Sequence, residues 1–180
     1  MQEYVERILF SRQEIDARVR ELADELTKRL DGTRPIVVCV LKGAAFFHAD
    51  LCRALPFDVD IDFISVSAYG LSATSTGCVR LFKDLEYDVF DRHVVIVEDV
   101  VDSGLTLRYL RERMAMRKPA SVTTVAFLDK RPCHPDGLSA DLCGFSVGEE
   151  FLVGYGLDYA GRYRNLPYVA SLKLGKEEEL

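Results

Sequence analysis

A chain of 180 residues, 48% apolar and 29% charged, can bury one full core and is too short for two comfortable domains. Its net charge of −6 argues against general affinity for nucleic acid or an anionic membrane, though not against a local basic pocket, and no apolar run approaches the roughly 18 residues of a membrane span. Five cysteines, odd in number and without a CxxC pair, point to reduced thiols and away from a zinc site or a disulfide framework.

The opening MQEYVERILF is acidic and has no signal-peptide h-region, so a cytoplasmic protein is expected. Ser11 and Glu14 make a capping-box pattern. Behind it Ile15, Val19, Leu22, Leu26 and Leu30 repeat on one face until Gly32, which predicts a helix over 11–30. PIVVCVL (35–41) is short and continuously apolar, as in a strand buried on both faces. AAFFHADLCRAL (44–55) reads as a helix, and Cys39 and Cys52 as small core residues. VDIDFISVSAYG (59–70) reads as a strand with alternation at Val59, Ile61 and Phe63. YGLSATSTG (69–77) has no hydrophobic period and suits a mobile loop. Strands are expected at 78–85 and 94–97. A helix is expected at 105–117, with Leu107, Leu110 and Met114 in helical register and Pro119 closing it. SVTTVAFL (121–128) reads as a strand, FLVGYGLDY (151–159) as extended, YVASLK (168–173) as a last short strand, and about 175–180 as a frayed tail.

Strands alternating with helices imply an α/β fold: a twisted, mainly parallel sheet flanked by helices, in one domain over 1–180. Ligands of such sheets bind at the carboxyl ends of the strands. The first candidates are therefore Lys42 and Gly43, the stretch from Glu98 onward, and Asp129 with Lys130.

VVIVEDVVDSGLTLRYL (94–110) begins as a strand and ends as a helix. Asp102-Ser103-Gly104-Leu105-Thr106 lies where unpaired helix N–H groups point outward, a setting that suits a phosphate. Gly104 permits close approach, and Ser103 and Thr106 add hydroxyl donors. Each hydrogen bond to a charged phosphate oxygen contributes roughly 1.5–3 kcal/mol. The acids Glu98, Asp99 and Asp102 would repel that phosphate unless they face another part of the ligand. Carboxylates accept from hydroxyls and help bind hydrated Mg²⁺. A ribose carrying a phosphate satisfies both demands.

VVIVEDVVDSGLTL resembles the phosphoribosyl-diphosphate motif of type I phosphoribosyltransferases: an apolar strand, a Glu-Asp pair, two apolar residues, then Asp-(Ser/Thr)-Gly-x-Thr. VLKGAAFF, AYGLSATSTG, VAFLDKRP and FLVGYGLDYAGRYRNLPYV are similar to the hypoxanthine–guanine branch in its compact bacterial form, in order, from about residue 36 to 170. The resemblance implies the type I fold, with a small hood built largely from the C-terminal segment. It implies Mg²⁺-dependent transfer of a 5-phosphoribosyl group from 5-phospho-α-D-ribose 1-diphosphate to a 6-oxopurine, with release of pyrophosphate.

Carried onto this chain, the resemblance gives Glu98 and Asp99 the ribose hydroxyls and metal, and Asp102 to Thr106 the 5′-phosphate. Asp102 also faces purine N7 as general base. Lys130 donates to the 6-oxo group, Phe151 stacks on the ring, and the backbone of Leu152 reads the base edge. Asp158 takes part in a second metal site and can bind an exocyclic amine. Lys42, Gly43 and Arg164 meet pyrophosphate, with an often cis peptide next to the lysine. Residues 68–79 form a lid with Tyr69 at its hinge. Two positions depart from the pattern: Ala68 stands where the family has serine, and Leu105 where some relatives carry lysine.

The resemblance also implies a homodimer or homotetramer. A xanthine-preferring transferase and a non-catalytic regulator of the same fold are the competing readings. A receiver domain leaves Ser-Gly-x-Thr unexplained, and no G-x-G-x-x-G follows the first strand, as a dinucleotide dehydrogenase needs. His48, His93 and His134 have no spacing that pairs them as metal ligands, and no catalytic role is expected for them.

Overall fold

The capping box forms as the sequence pattern requires. Ser11 N donates to Glu14 Oε2 at 2.8 Å, and Glu14 N donates to Ser11 Oγ at 3.3 Å. Helix α1 (Arg12–Leu30) then buries Ile15, Val19, Leu22, Leu26 and Leu30 along one face. The computed structural model describes residues 4–69, 78–134 and 138–173. Before α1 comes strand β1 (Tyr4–Phe10). After it come β2 (Ile36–Leu41), α2 (Ala45–Ala54), β3 (Asp60–Tyr69), β4 (Cys78–Lys83), β5 (His93–Val101), α3 (Leu105–Ala115), β6 (Ser121–Asp129), β7 (Leu142–Ser146), β8 (Leu152–Val153) and β9 (Val169–Lys173).

Six strands form the main sheet in the order β4-β3-β2-β5-β6-β7. Its pairings are parallel except β3 with β4. Strand alternation divides the core into two layers. Val37, Cys39, Val95, Val97, Val125 and Phe127 pack with α1 and α2, while Ile36, Val38, Val40, Val94 and Ile96 pack with Leu110 and Met114 of α3. Each fully buried aliphatic contributes roughly 1.5–3 kcal/mol, which accounts for the unbroken apolar run on both faces of β2 and of β5 from Val94 to Val97. The chain leaves β2 toward β3 on one side and returns to β5 on the other. That reversal opens a crevice between the carboxyl ends of β2 and β5.

The second sheet is antiparallel, β1-β9-β8, and forms the hood. Neither β1 nor β7 was expected. In β1, register shifts between Val5 and Arg7 and between Ile8 and Phe10 break the period of two. In β7, five residues interrupted by Gly144 offer too little pattern. The extended segment expected at 151–159 is a strand only at Leu152–Val153. Positive φ at Gly154 (96°), Tyr155 (48°) and Gly156 (103°) turns the chain back on itself there.

The alternation in β3 is real, but its apolar side faces out. Ile61 is 44% and Phe63 37% exposed, whereas Asp60 and Asp62 are buried beside Ile64. The buried acids are compensated. Asp60 takes Arg34 and Arg92 at 2.6 Å each, and Asp62 accepts from the amides of Phe63, Glu86 and Tyr87. Cys39 is core as expected, but Cys52 is only half-buried, its Sγ 3.6 Å from His48 Nε2. The expected frayed tail lies outside the described residues.

Candidate active site

β5 runs four residues past its expected end, so Glu98 and Asp99 are strand residues rather than loop residues at an open mouth. Alternation sends them to opposite faces. Glu98 is 4% exposed, and its Oε1 has no hydrogen-bond partner. Burial, then the neighbouring Asp99 charge, pushes its carboxyl well above the usual range. Asp99 is half-buried and accepts from the Val100 amide at 2.9 Å. Burial raises it too, against the bonds from its own and the next amide and the nearby Arg164.

The strand ends at Val101, and Asp102 turns outward with 59% of its side chain exposed. Gly104 has φ 75° at the helix N-cap, a conformation that an L side chain adopts only under strain, and a Cβ there would also crowd Leu138. No side chain caps α3, whose first internal bond is Arg108 N to Gly104 O at 3.0 Å. The amides ahead of Arg108 therefore have no partner within the helix.

At the end of β2 the Leu41–Lys42 peptide is cis, as the resemblance implies. Lys42 is exposed and Gly43 buried. Gly43 lies so close to Asp99 that a Cβ would overlap the carboxylate. Gly43→Ala is therefore expected to displace Asp99 and to destabilise the fold by about 1–3 kcal/mol. Calorimetric melting would show the loss, and an unchanged melting temperature would contradict this packing.

Two lobes make up the cleft. One, of about 360 Å³, is lined by Lys42, Gly43, Glu98, Asp99, Asp102, Ser103, Gly104, Thr106, Asp158 and Arg164, among others. The other, of about 230 Å³, is lined by Lys130, Phe151, Leu152 and Leu157. Asp99, Val100, Asp102 and Asp158 belong to both. Lys130 directs Nζ to within 4.0 Å of Asp102 Oδ2. Phe151 is 41% exposed and meets Tyr159 edge-on at 5.4 Å. Arg164 donates to Gly156 O at 2.6 Å and pairs with Asp158 at 2.5 Å, while Asp158 also accepts from Gly161 N at 2.7 Å.

The fold thus gathers the predicted residues with two qualifications. Leu105 starts α3 but is absent from the described lining, where Leu107 stands. Tyr69 ends β3 opposite Cys78, but its side chain and residues 70–77 of the expected lid lie outside the described residues. Two neighbours were missed: Leu157 lines the smaller lobe, and the Cys133 thiol adjoins Asp102. Asp129, a strand-end candidate, is buried away from the cleft and bonds to His134, for which no role was expected. No motif or spacing connects these residues in the sequence.

Chemically, the cleft offers open amides for an anion, a floor of acids for hydroxyls or a cation, and a lobe where the Lys130 ammonium and the Phe151 ring could meet a flat ligand carrying an acceptor. The sequence profile of the phosphoribosyl transferase domain matches residues 8–160. The chain belongs to the phosphoribosyltransferase family. Among phosphoribosyltransferases it is 46% identical to the hypoxanthine-guanine phosphoribosyltransferase of Bacillus subtilis over 173 residues, 96% of each chain. It is 40% identical to the hypoxanthine-guanine-xanthine phosphoribosyltransferase of Tritrichomonas foetus over 176 residues, 96% of this chain and 94% of the other. A crystal structure of a hypoxanthine-guanine phosphoribosyltransferase from Bacillus anthracis superposes with a TM-score of 0.89 at 39% identity, covering 96% of this chain and all of that one. The fold is that of the type I phosphoribosyltransferases.

Proposed function

We propose that this phosphoribosyltransferase moves the 5-phosphoribosyl group of 5-phospho-α-D-ribose 1-diphosphate to hypoxanthine or guanine, with Mg²⁺, in purine salvage. The observation that carries the proposal is the turn from Asp102 to Thr106. It joins an uncapped helix N-terminus to an acidic floor, and its Asp102, with Asp99 and Asp158, also lines the Lys130–Phe151 lobe. The names of the relatives support the choice of base.

In this reading the amides of 103–106, with the Ser103 and Thr106 hydroxyls, hold the 5′-phosphate. Glu98 and Asp99 accept from the ribose hydroxyls. Lys42, Gly43 and Arg164 hold the diphosphate, for which a planar charged fork is well suited. Lys130 donates to the purine 6-oxo group, Phe151 stacks on the ring, and the backbone at Leu152 meets the base edge. As the C1′–diphosphate bond breaks and the C1′–N bond forms, the purine proton passes to Asp102. The cationic ribosyl centre needs shielding from water, the part the resemblance gives to residues 68–79 and Tyr69, most of which lie outside the described residues.

Among the described residues no three acids converge as a ready metal cage, so Mg²⁺ would be held by the chain only in part, with oxygens of the bound donor and water completing its shell. Glu98, Asp99 and Asp158 supply hard carboxylate oxygens, and Glu98 Oε1 has unused acceptor capacity. Bound there with the donor, the ion would neutralise charge on the departing diphosphate. The outward Ile61 and Phe63 of β3 support self-association as a homodimer or homotetramer, and the reduced-thiol composition supports a cytoplasmic setting.

Each purine should be assayed spectrophotometrically with donor and Mg²⁺. Nucleotide is expected from hypoxanthine or guanine, little from adenine, and none after chelation with EDTA. Xanthine belongs in the panel because the T. foetus relative is named for it. Failure of every 6-oxopurine to release pyrophosphate would refute the proposal.

A further inference from the structure

Asp129, the last residue of β6, is fully buried, yet neither it nor His134 is among the described residues lining the cleft. A carboxylate at such depth requires partners. Its Oδ1 accepts from His134 Nε2 at 2.6 Å, and that imidazole is itself only 5% exposed. Its Oδ2, without a hydrogen bond, stands 3.4 Å from Nε of Arg131. One carboxylate therefore holds both sides of a short turn.

That turn is a single 3-10 element, Arg131–Cys133, closed by Cys133 N donating to Lys130 O at 2.8 Å. Lys130 is also fixed from its other side: its amide donates to Val101 O at 2.9 Å, immediately before Asp102. The lysine backbone is thus tied to the strand that carries Asp102 and to the turn closed by Asp129 and His134. Its side chain, 14% exposed, ends beside Asp102.

We infer that His134, anchored on Asp129, is a positioning residue that fixes the approach of Lys130 to the purine lobe and so contributes to selection of a 6-oxopurine. The inference rests on the proposed reaction and on the part given there to Lys130. His134 touches no reacting atom in this scheme and acts through the turn.

The test is a double-mutant cycle of His134→Ala and Lys130→Ala, read in kcat/KM for hypoxanthine and in KM for each substrate. In the Lys130 background, His134→Ala is expected to raise the purine KM about 10-fold and to change the donor KM less than about 2-fold. In the Lys130→Ala background the same change should cost less than about 2-fold in kcat/KM. His134→Gln, which keeps a donor, should recover most of the loss. Should His134→Ala fail to fold, His134→Asn, with its shorter amide, takes its place in the cycle. An additive cycle, or an equal rise in both KM values, would overturn the inference while the proposed reaction stood. A wild-type chain that forms no nucleotide would overturn both.

Discussion

Asp102→Asn is expected to lower the turnover of nucleotide synthesis by roughly 10²–10⁴-fold while binding of the phosphoribosyl donor changes little. The substitution keeps the shape of the side chain and removes only its capacity to take a proton. Geometry makes the site sensitive to that loss. Asp102 is the acid placed outward between the two lobes, with Lys130 Nζ at 4.0 Å and the Cys133 thiol adjoining it. The anion-binding amides of 103–106 are backbone groups and survive the change. Steady-state kinetics in both substrates would separate the two effects: kcat falls and the donor KM holds. Full turnover in the variant would remove Asp102 from its proposed role and leave the purine proton without an acceptor.

Glu98→Gln should move stability and activity in opposite directions. Burial holds the Glu98 proton to a higher pH in the folded chain than in the unfolded one. Between the two pKa values the native state binds more protons, so this group makes stability fall as pH rises through that window, until the folded pKa is passed. Glutamine has no charge to desolvate. The variant, in EDTA, is expected to lose part of that decline and to gain roughly 1–3 kcal/mol above the window. In a chain of this size that corresponds to about 2–4 °C of melting temperature per kcal/mol. The same change removes an acceptor from the ribose and metal floor, so donor affinity in the presence of Mg²⁺ should fall. Scanning calorimetry from pH 5 to 8 would test the first effect, and superimposable pH profiles of variant and wild type would refute it.

The acidic floor thus conflicts with packing, which is why it stands out in the sequence. Glu-Asp after VVIV breaks an apolar run that the core would otherwise continue, and Ser-Gly-x-Thr breaks the helix start that would otherwise be capped. Such breaks can be read without a structure. So can α1, whose capping box and five apolar residues agree with one another. Less legible were elements whose identity depends on distant partners. β1 becomes a strand because β9 offers it an edge despite two register shifts. The outward face of β3 was unreadable because Arg34 and Arg92, far along the chain, make a buried Asp60 tolerable. The first part of the hood loop, within 151–159, reads as extended from the sequence. Its turn comes from positive φ at Gly154, Tyr155 and Gly156, and no turn rule marks the tyrosine. His134 was unreadable for the same kind of reason: its significance is a hydrogen bond to Asp129, and nothing in the sequence shows that this strand-end acid is buried.

The hood also constrains the order of events on the ribosome. β9 takes β1 on one edge and β8 on the other, and Leu172 N donates to Phe151 O at 2.8 Å. The aromatic wall of the smaller lobe is therefore tied through the last strand to residues 4–10. While a chain is still being translated, its six-stranded sheet can assemble as soon as β7 has emerged, but β1 must wait unpaired for a partner, β9, that is synthesised later. The wall of the smaller lobe is accordingly completed only once β9 has emerged and paired with both β1 and β8.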